Sequence, residues 1–258
     1  MCEPCTPGSY CAEGAAAALP CKGGSYSSAS NLTIDTECTP TDEGHYASTG
    51  STVQTKCSPG TVAPSTGMGV CVKCAAGTFQ GEEGRTACKP CSAGSFCAEG
   101  AAAALPCEAG TYSNATNLTS DDQCTATSLG FYASTGSTEQ TKCSPGTIAS
   151  GTRTSVCTKC AAGTYQASEG KLACVACKPG SYCPLGASAA LPCAEGSYSS
   201  ATNLTSSTEC TPTDAGHFAS TGSIQQTPCS PGTVAPKASM GACDGCEAGT
   251  FQDQPGQE

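Results

Sequence analysis

Cys71, Cys74, Cys88 and Cys91 stand in the pattern C-x2-C-x13-C-x2-C, close to the spacing of a zinc ribbon. Thiols placed in this way can hold a metal while reduced, or oxidise to disulfides. The rest of the chain decides between these chemistries. Cysteine supplies 24 of the 258 residues, an even number, and a zinc reading leaves Cys11, Cys21, Cys38 and Cys57 without a task. Cysteine at this density is typical of secreted disulfide scaffolds, because a cytosolic environment would keep the thiols reduced. A disulfide framework is therefore expected, with no metal ligand and no cofactor.

Other reactive side chains are sparse. His45 and His217 are the only histidines, and Phe131 holds the corresponding place in the middle of the chain. The imidazole therefore reads as an aromatic strand residue rather than a general base. No Ser-His-Asp constellation is present. The acidic pairs Asp42-Glu43 and Asp121-Asp122 fit neither an EF-hand nor a calcium-binding EGF pattern, and read as solvated charge. No catalytic residue is expected, and the chain does not read as an enzyme. Modification is a different matter. Sequons at Asn31-Leu32-Thr33, Asn117-Leu118-Thr119 and Asn203-Leu204-Thr205 share one register, which predicts N-linked glycans at Asn31, Asn117 and Asn203. Asn114-Ala115-Thr116 adds a fourth acceptor, and the many Ser and Thr residues offer O-linked attachment.

These residues are positioned by a repeat. Cys5, Cys91 and Cys177 stand 86 residues apart, as do Cys21, Cys107 and Cys193, and Cys57, Cys143 and Cys229. Eight cysteines recur three times, which divides the chain into cysteine-rich repeats 1–86, 87–172 and 173–258. Inside each lies a shorter period, Cys-x-x-Gly-[Ser/Thr]-[aromatic or Val], as at Cys5-Gly8-Tyr10, Cys57-Gly60-Val62 and Cys74-Gly77-Phe79. Gly44-His45-Tyr46 is a variant of it. Five such marks per repeat leave about 17 residues each, too few to bury a core but enough for a β-hairpin. Glycine after the joint permits a tight turn, and the Ser/Thr-aromatic pair suits a strand start. The aromatic is expected to stack on its equivalent in the next unit. The chain has no Trp, 5 Phe and 8 Tyr, so covalent bridges must substitute for an apolar interior. The expected fold is small, disulfide-rich and mainly β or irregular: an elongated rod of short stapled hairpins, stable as a sum of local terms. Helix signals are nearly absent. Ala15–Leu19 could form one turn, confined by Gly14 and Pro20.

Spacing also suggests the pairing. If the second cysteine of each joint bridges to the first cysteine of the next, the pairs are Cys57–Cys71, Cys74–Cys88, Cys143–Cys157, Cys160–Cys174 and Cys229–Cys243. The same rule gives Cys21–Cys38, Cys107–Cys124 and Cys193–Cys210. The hairpin at Cys5 has Ala18 where its partner would fall and an extra cysteine nearby, which suggests Cys5–Cys11, Cys91–Cys97 and Cys177–Cys183. An interleaved first-to-third, second-to-fourth pattern remains open, because sequence alone does not fix connectivity. One hairpin per repeat lacks both ends of its bridge, with Thr41 and Gln54, Thr127 and Gln140, or Thr213 and Gln226 in their places. Losing both together avoids a free thiol, and this hairpin is expected to lean on its neighbours and to be the softest. Cys2 and Cys246 remain unpaired within the chain. The expectation is that they meet cysteines of adjoining repeats, in a longer array or in a head-to-tail neighbour.

The formal net charge is −10 with 12% charged residues, which argues against nucleic acid or an anionic membrane as partner. No apolar run approaches a membrane span, and no signal peptide precedes Cys2, so a targeting segment for secretion would lie outside this sequence.

The joints and hairpins in CEPCTPGSYC and CVKCAAGTFQGEEGRTACKPC resemble ephrin-receptor-like cysteine-rich repeats, relatives of the EGF-like and tumour-necrosis-factor-receptor-like modules. The likeness covers almost the whole chain and departs from it at the Thr41/Gln54 hairpin. It implies an extracellular or cell-surface location. Similar arrays occur in algal and protist surface proteins, including the flagellar hairs called mastigonemes. The expected role is a glycosylated structural repeat of a filament or cell-surface stalk, whose partners are identical or sibling repeats. The alternative is a ligand-binding or adhesive ectodomain of a receptor.

Overall fold

The computed structural model describes residues 2–258. Each Gly-[Ser/Thr]-aromatic stretch before Gly249 forms a strand of two residues, and the residues just before the next joint form its partner. Ser9–Tyr10 pairs antiparallel with Leu19–Pro20, Thr78–Phe79 with Lys89–Pro90, and Thr164–Tyr165 with Val175–Ala176. Among the described residues there are fourteen such two-stranded sheets. One more bond extends each hairpin: the joint cysteine donates its N–H back to the glycine carbonyl at the hairpin's start, as Cys21 does to Gly8 at 2.8 Å and Cys74 to Gly60 at 2.9 Å. Among the described residues helix is confined to three 3-10 turns, Asp35–Glu37, Asp121–Gln123 and Ser207–Glu209. The helical turn expected at Ala15–Leu19 does not form. Leu19 is drawn into the strand opposite Tyr10, which extends its backbone.

The chain divides into two compact units, Met1–Thr125 with Thr135–Glu139, and Ala126–Ser134 with Gln140–Glu258. Inside each unit successive hairpins dock through backbone. In the first, Gly44 donates its N–H to the Ala63 carbonyl at 2.9 Å, Gly60 to Gln80 at 2.7 Å and Gly77 to Cys97 at 2.8 Å. In the second, Gly146 donates to Gln166 at 2.7 Å and Gly163 to Cys183 at 2.8 Å. The tip of the following hairpin completes the joint, as where Gly100 donates to Cys74 and Gly186 to Cys160, both at 2.8 Å.

The tip carbonyls then reach one hairpin further back. At Gly77 the backbone is left-handed (φ +86°), and a Cβ there would lie 2.6 Å from the Asn117 carbonyl oxygen. Gly60 (φ +83°) receives the carbonyl of Gly100 in the same way. Glycine is required at these joints twice over, once for its torsion and once because the next-but-one hairpin occupies the space of a side chain.

The interior is covalent and polar rather than aliphatic. Cys21, Cys57, Cys74, Cys91, Cys107 and Cys143 are fully buried, while the bulkiest buried side chains are Gln80 and the threonines Thr41, Thr111, Thr127 and Thr213. Aromatic residues cover the sulfur. Phe96 packs on Cys107, Cys124 and Leu118, and Tyr182 on Cys193, Cys210 and Leu204. Each thus lies on the bridge of the next hairpin, where the sequence pattern had suggested the next aromatic ring.

Candidate functional site

The cysteines come together through this hairpin geometry. The antiparallel pairing folds each hairpin back so that the joint after it lies beside the joint before it, and the sulfur atoms meet. Cys57–Cys71, Cys74–Cys88, Cys143–Cys157 and Cys160–Cys174 are joined at Cα–Cα separations of 5.7 Å, and Cys229–Cys243 at 5.8 Å. Cys21–Cys38, Cys107–Cys124 and Cys193–Cys210 close longer loops at 5.9 Å. Cys5–Cys11, Cys91–Cys97 and Cys177–Cys183 close the short ones at 5.9 to 6.0 Å. Cys2 is exposed and Cys246 half-buried, and both are free. The four cysteines with near-ribbon spacing divide among three bridges: Cys71 goes to Cys57, Cys74 to Cys88 and Cys91 to Cys97. No group of three or more His, Cys, Asp or Glu among the described residues is placed to hold a metal.

The hairpin without a bridge has a polar clamp that sequence reasoning missed. Thr41 occupies the position of the second joint cysteine and makes the same backbone bond, to Gly24 at 2.9 Å. Its buried hydroxyl accepts the Met68 N–H at 3.0 Å. Thr127 and Thr213 accept from Thr154 and Met240 at 2.9 and 3.1 Å. Across the hairpin the glutamine reaches the residue after the threonine. Gln54 accepts the Asp42 N–H at 2.7 Å and donates to its carboxylate at 2.6 Å. Gln226 repeats this with Asp214 at 2.9 and 2.8 Å, and Gln140 accepts the Ser128 N–H at 2.7 Å. Asp42 is exposed, as expected of a solvated charge, and is also part of the clamp. The signal was available in the invariant spacing of Thr and Gln within the three repeats. A second glutamine, Gln80, fills the interior of its own hairpin, donating to the Ala87 carbonyl at 2.8 Å and accepting from Glu82 at 3.1 Å; Gln166 does the same.

The sequon asparagines occupy hairpin tips. Asn31, Asn117 and Asn203 have φ of 62°, 61° and 64°, the left-handed conformation that Gly50, Gly67, Gly84 and Gly100 adopt at other tips. Asparagine is the side chain that visits this region most readily after glycine. Their N–H groups donate to Cys5, Cys91 and Cys177 at 3.0, 2.9 and 3.0 Å, and all three side chains are exposed. Asn114 is exposed as well. The sequon threonines lead into the 3-10 turns. Thr33 donates its N–H to Glu37 at 2.6 Å, Thr119 to Gln123 at 2.6 Å and Thr205 to Glu209 at 3.2 Å. The backbone N–H of Thr33 holds the Glu37 carboxyl below its usual range, and the Thr205 hydroxyl does the same for Glu209. In the middle turn, Asp121 carries a buried oxygen with no hydrogen-bond partner. The histidines point their Nδ1 atoms at local carbonyls, His45 at Glu43 (3.1 Å) and His217 at Ala215 (3.2 Å).

Residues 60–104 and 146–184 match the family described as tyrosine-protein kinase ephrin type A/B receptor-like. The two matches begin at corresponding joint glycines of consecutive repeats, Gly60 and Gly146. No curated protein matches the chain. With eleven bridges set in stacked hairpins, the chain is an array that carries ephrin-receptor-like cysteine-rich repeats, modules of an extracellular, cell-surface kind.

Proposed function

We propose that this chain is a structural repeat of an extracellular glycosylated filament or cell-surface stalk, of the flagellar-hair type, assembling end to end with identical or sibling repeats. Its role is mechanical rather than catalytic. The observation that carries this reading is the recurrence of one docking pattern at successive hairpins within each unit, with glycine N–H groups and tip carbonyls meeting through backbone. Such a contact can be repeated without limit, and each hairpin carries its own bridge or clamp. N-linked glycans on Asn31, Asn117 and Asn203, with Asn114 as a further acceptor, and O-linked glycans on the Ser/Thr-rich surface would shield the array from proteases. Electron microscopy of the native material tests the reading. A filament with a regular axial repeat is the expected result, and a monodisperse full-length protein without neighbours refutes it. The receptor-like description of the matched family favours a second reading, a ligand-binding or adhesive ectodomain. That reading expects saturable binding of a ligand by the monomer.

A further inference from the structure

The last hairpins present surfaces that the fold fills everywhere else. Phe79 and Tyr165 are half-buried in strands, whereas Phe251, in the same register, is 87% exposed. Tyr165 covers Cys177, Cys183 and Ala187, and both Phe79 and Tyr165 form parallel bridges, to Ala101 and Ala187. The left-handed Gly77 and Gly163 receive the carbonyls of Asn117 and Asn203, and Gly60 and Gly146 those of Gly100 and Gly186. At Gly249 (φ +90°) and Gly232 (φ +84°) nothing lies within 4 Å. Cys74 and Cys160 are bridged to Cys88 and Cys174, whereas Cys246 is free.

The first hairpins carry the complementary set. By the 86-residue register, the counterparts of Cys177, Cys183 and Ala187 are Cys5, Cys11 and Ala15. The tips matching Gly186 and Asn203 are Gly14 and Asn31, and the cysteine matching Cys88 and Cys174 is the free Cys2. A cavity of about 570 Å³ opens there, lined by Cys2, Glu3, Pro4, Cys11, Gly14 and Ala15. The space stands where the register would seat the phenyl ring.

We infer that a second copy of this chain docks its Cys2–Leu32 segment onto Gly232–Gln252 of the first, placing Phe251 in that cavity. Glu3 and Pro4 pair with Phe251 and Thr250, as Lys89 and Pro90 pair with Phe79 and Thr78. The contact is strand addition in the chain's own register. The carbonyls of Gly14 and Asn31 enter the cradles at Gly232 and Gly249. Docking brings Cys2 to Cys246, and a small-molecule disulfide of the glutathione class supplies the oxidation. The Cys246 thiolate attacks it and releases one small thiolate. The Cys2 thiolate then attacks the mixed disulfide, forming the Cys2–Cys246 bond and releasing the second. The biological place of this contact rests on the filament reading, but its geometry is tested separately.

The 258-residue chain, refolded in a glutathione redox buffer, is the probe. Oligomers whose linking peptides join Cys2 to Cys246 are expected. In the Cys2→Ser/Cys246→Ser chain, sedimentation should show reversible association that Phe251→Ala weakens by about tenfold or more. Phe251 touches little in the isolated chain, so all eleven internal bridges should survive this change. Symmetric Cys2–Cys2 and Cys246–Cys246 links, a chain that stays monomeric with both thiols free, or association indifferent to Phe251→Ala each overturn the inference. Correct head-to-tail links alongside native material that is not filamentous would leave the docking standing and remove the filament reading.

Discussion

Replacing Thr127 with valine tests whether one hydrogen bond does part of the work of an absent bridge. Thr127 is 1% exposed, and its hydroxyl accepts the Thr154 N–H at 2.9 Å. Valine keeps the shape and removes the acceptor, so the Thr154 amide would face an apolar methyl group. Leaving a buried donor unsatisfied costs about 1–3 kcal/mol. Local opening should therefore become roughly 5- to 150-fold more populated. Amide hydrogen exchange at Thr154 reads this directly, because the Ala133 N–H donates to the carbonyl of the same residue (3.1 Å) and gives a neighbouring reporter. Thr127→Ser restores the oxygen without the methyl and should return exchange close to the original rate. If serine is as damaging as valine, methyl packing rather than the hydrogen bond holds the contact. If valine leaves Thr154 unchanged, the clamp contributes nothing. For comparison, a bridge closing a loop of about 15 residues contributes roughly 3 kcal/mol in the chain-entropy account, so the clamp should be the weaker device.

At the tips, Asn117→Gly should be tolerated and Asn117→Val should lower the urea midpoint, since a left-handed torsion costs most side chains about 1–2 kcal/mol. Gly77→Ala should destabilise by about 1–3 kcal/mol, because its methyl group meets the Asn117 carbonyl oxygen 2.6 Å away; thermal unfolding of the oxidised chain measures it. Acid should loosen two of the three 3-10 turns. Glu37 and Glu209 titrate below the ordinary 4.5, so their contribution is complete above that pH and is lost as pH falls through the depressed value. Gln123 does not titrate, and the protection of the Thr33 and Thr205 amides, taken relative to their intrinsic exchange at each pH, should therefore fall on acidification while that of Thr119 stays constant. Equal behaviour of the three amides would remove the carboxylates from the account. Reduction of all bridges should unfold the chain cooperatively within each unit, as followed by loss of exchange protection at Gly60 and Gly146.

The hairpins and their pairing were legible because cysteine, glycine and the Ser/Thr-aromatic pair recur at intervals set by hairpin length. Cys57, Gly60, Cys71 and Cys74 locate two turns and a bridge with no reference to the rest of the chain. What could not be read were the contacts that skip a hairpin. Nothing near Gly77 in sequence indicates that the Asn117 carbonyl fills its missing side chain. The Gln54–Asp42 clamp was hidden for a related reason: polar residues between cysteines read as loop until a second strand is placed opposite them. The sequons were found, but their second meaning was not, since an asparagine taking glycine's place at a tip is visible only in the torsion.

The tip positions show how this architecture tolerates change. The contact that binds one hairpin to the next two uses N–H and carbonyl groups that every residue except proline possesses. A tip must therefore supply a left-handed torsion, and its side chain faces outward. Glycine does so at most tips, asparagine at three, and Arg153 and Ser239 at two more, with φ of 55° and 64°. The opposite face of the contact has no such latitude, because at Gly60, Gly77, Gly146 and Gly163 the incoming carbonyl occupies the place of a Cβ. Variation is thus directed to the tips and away from the joints. An array built on this rule can alter what it displays, including an acceptor for a glycan, without altering how its hairpins dock.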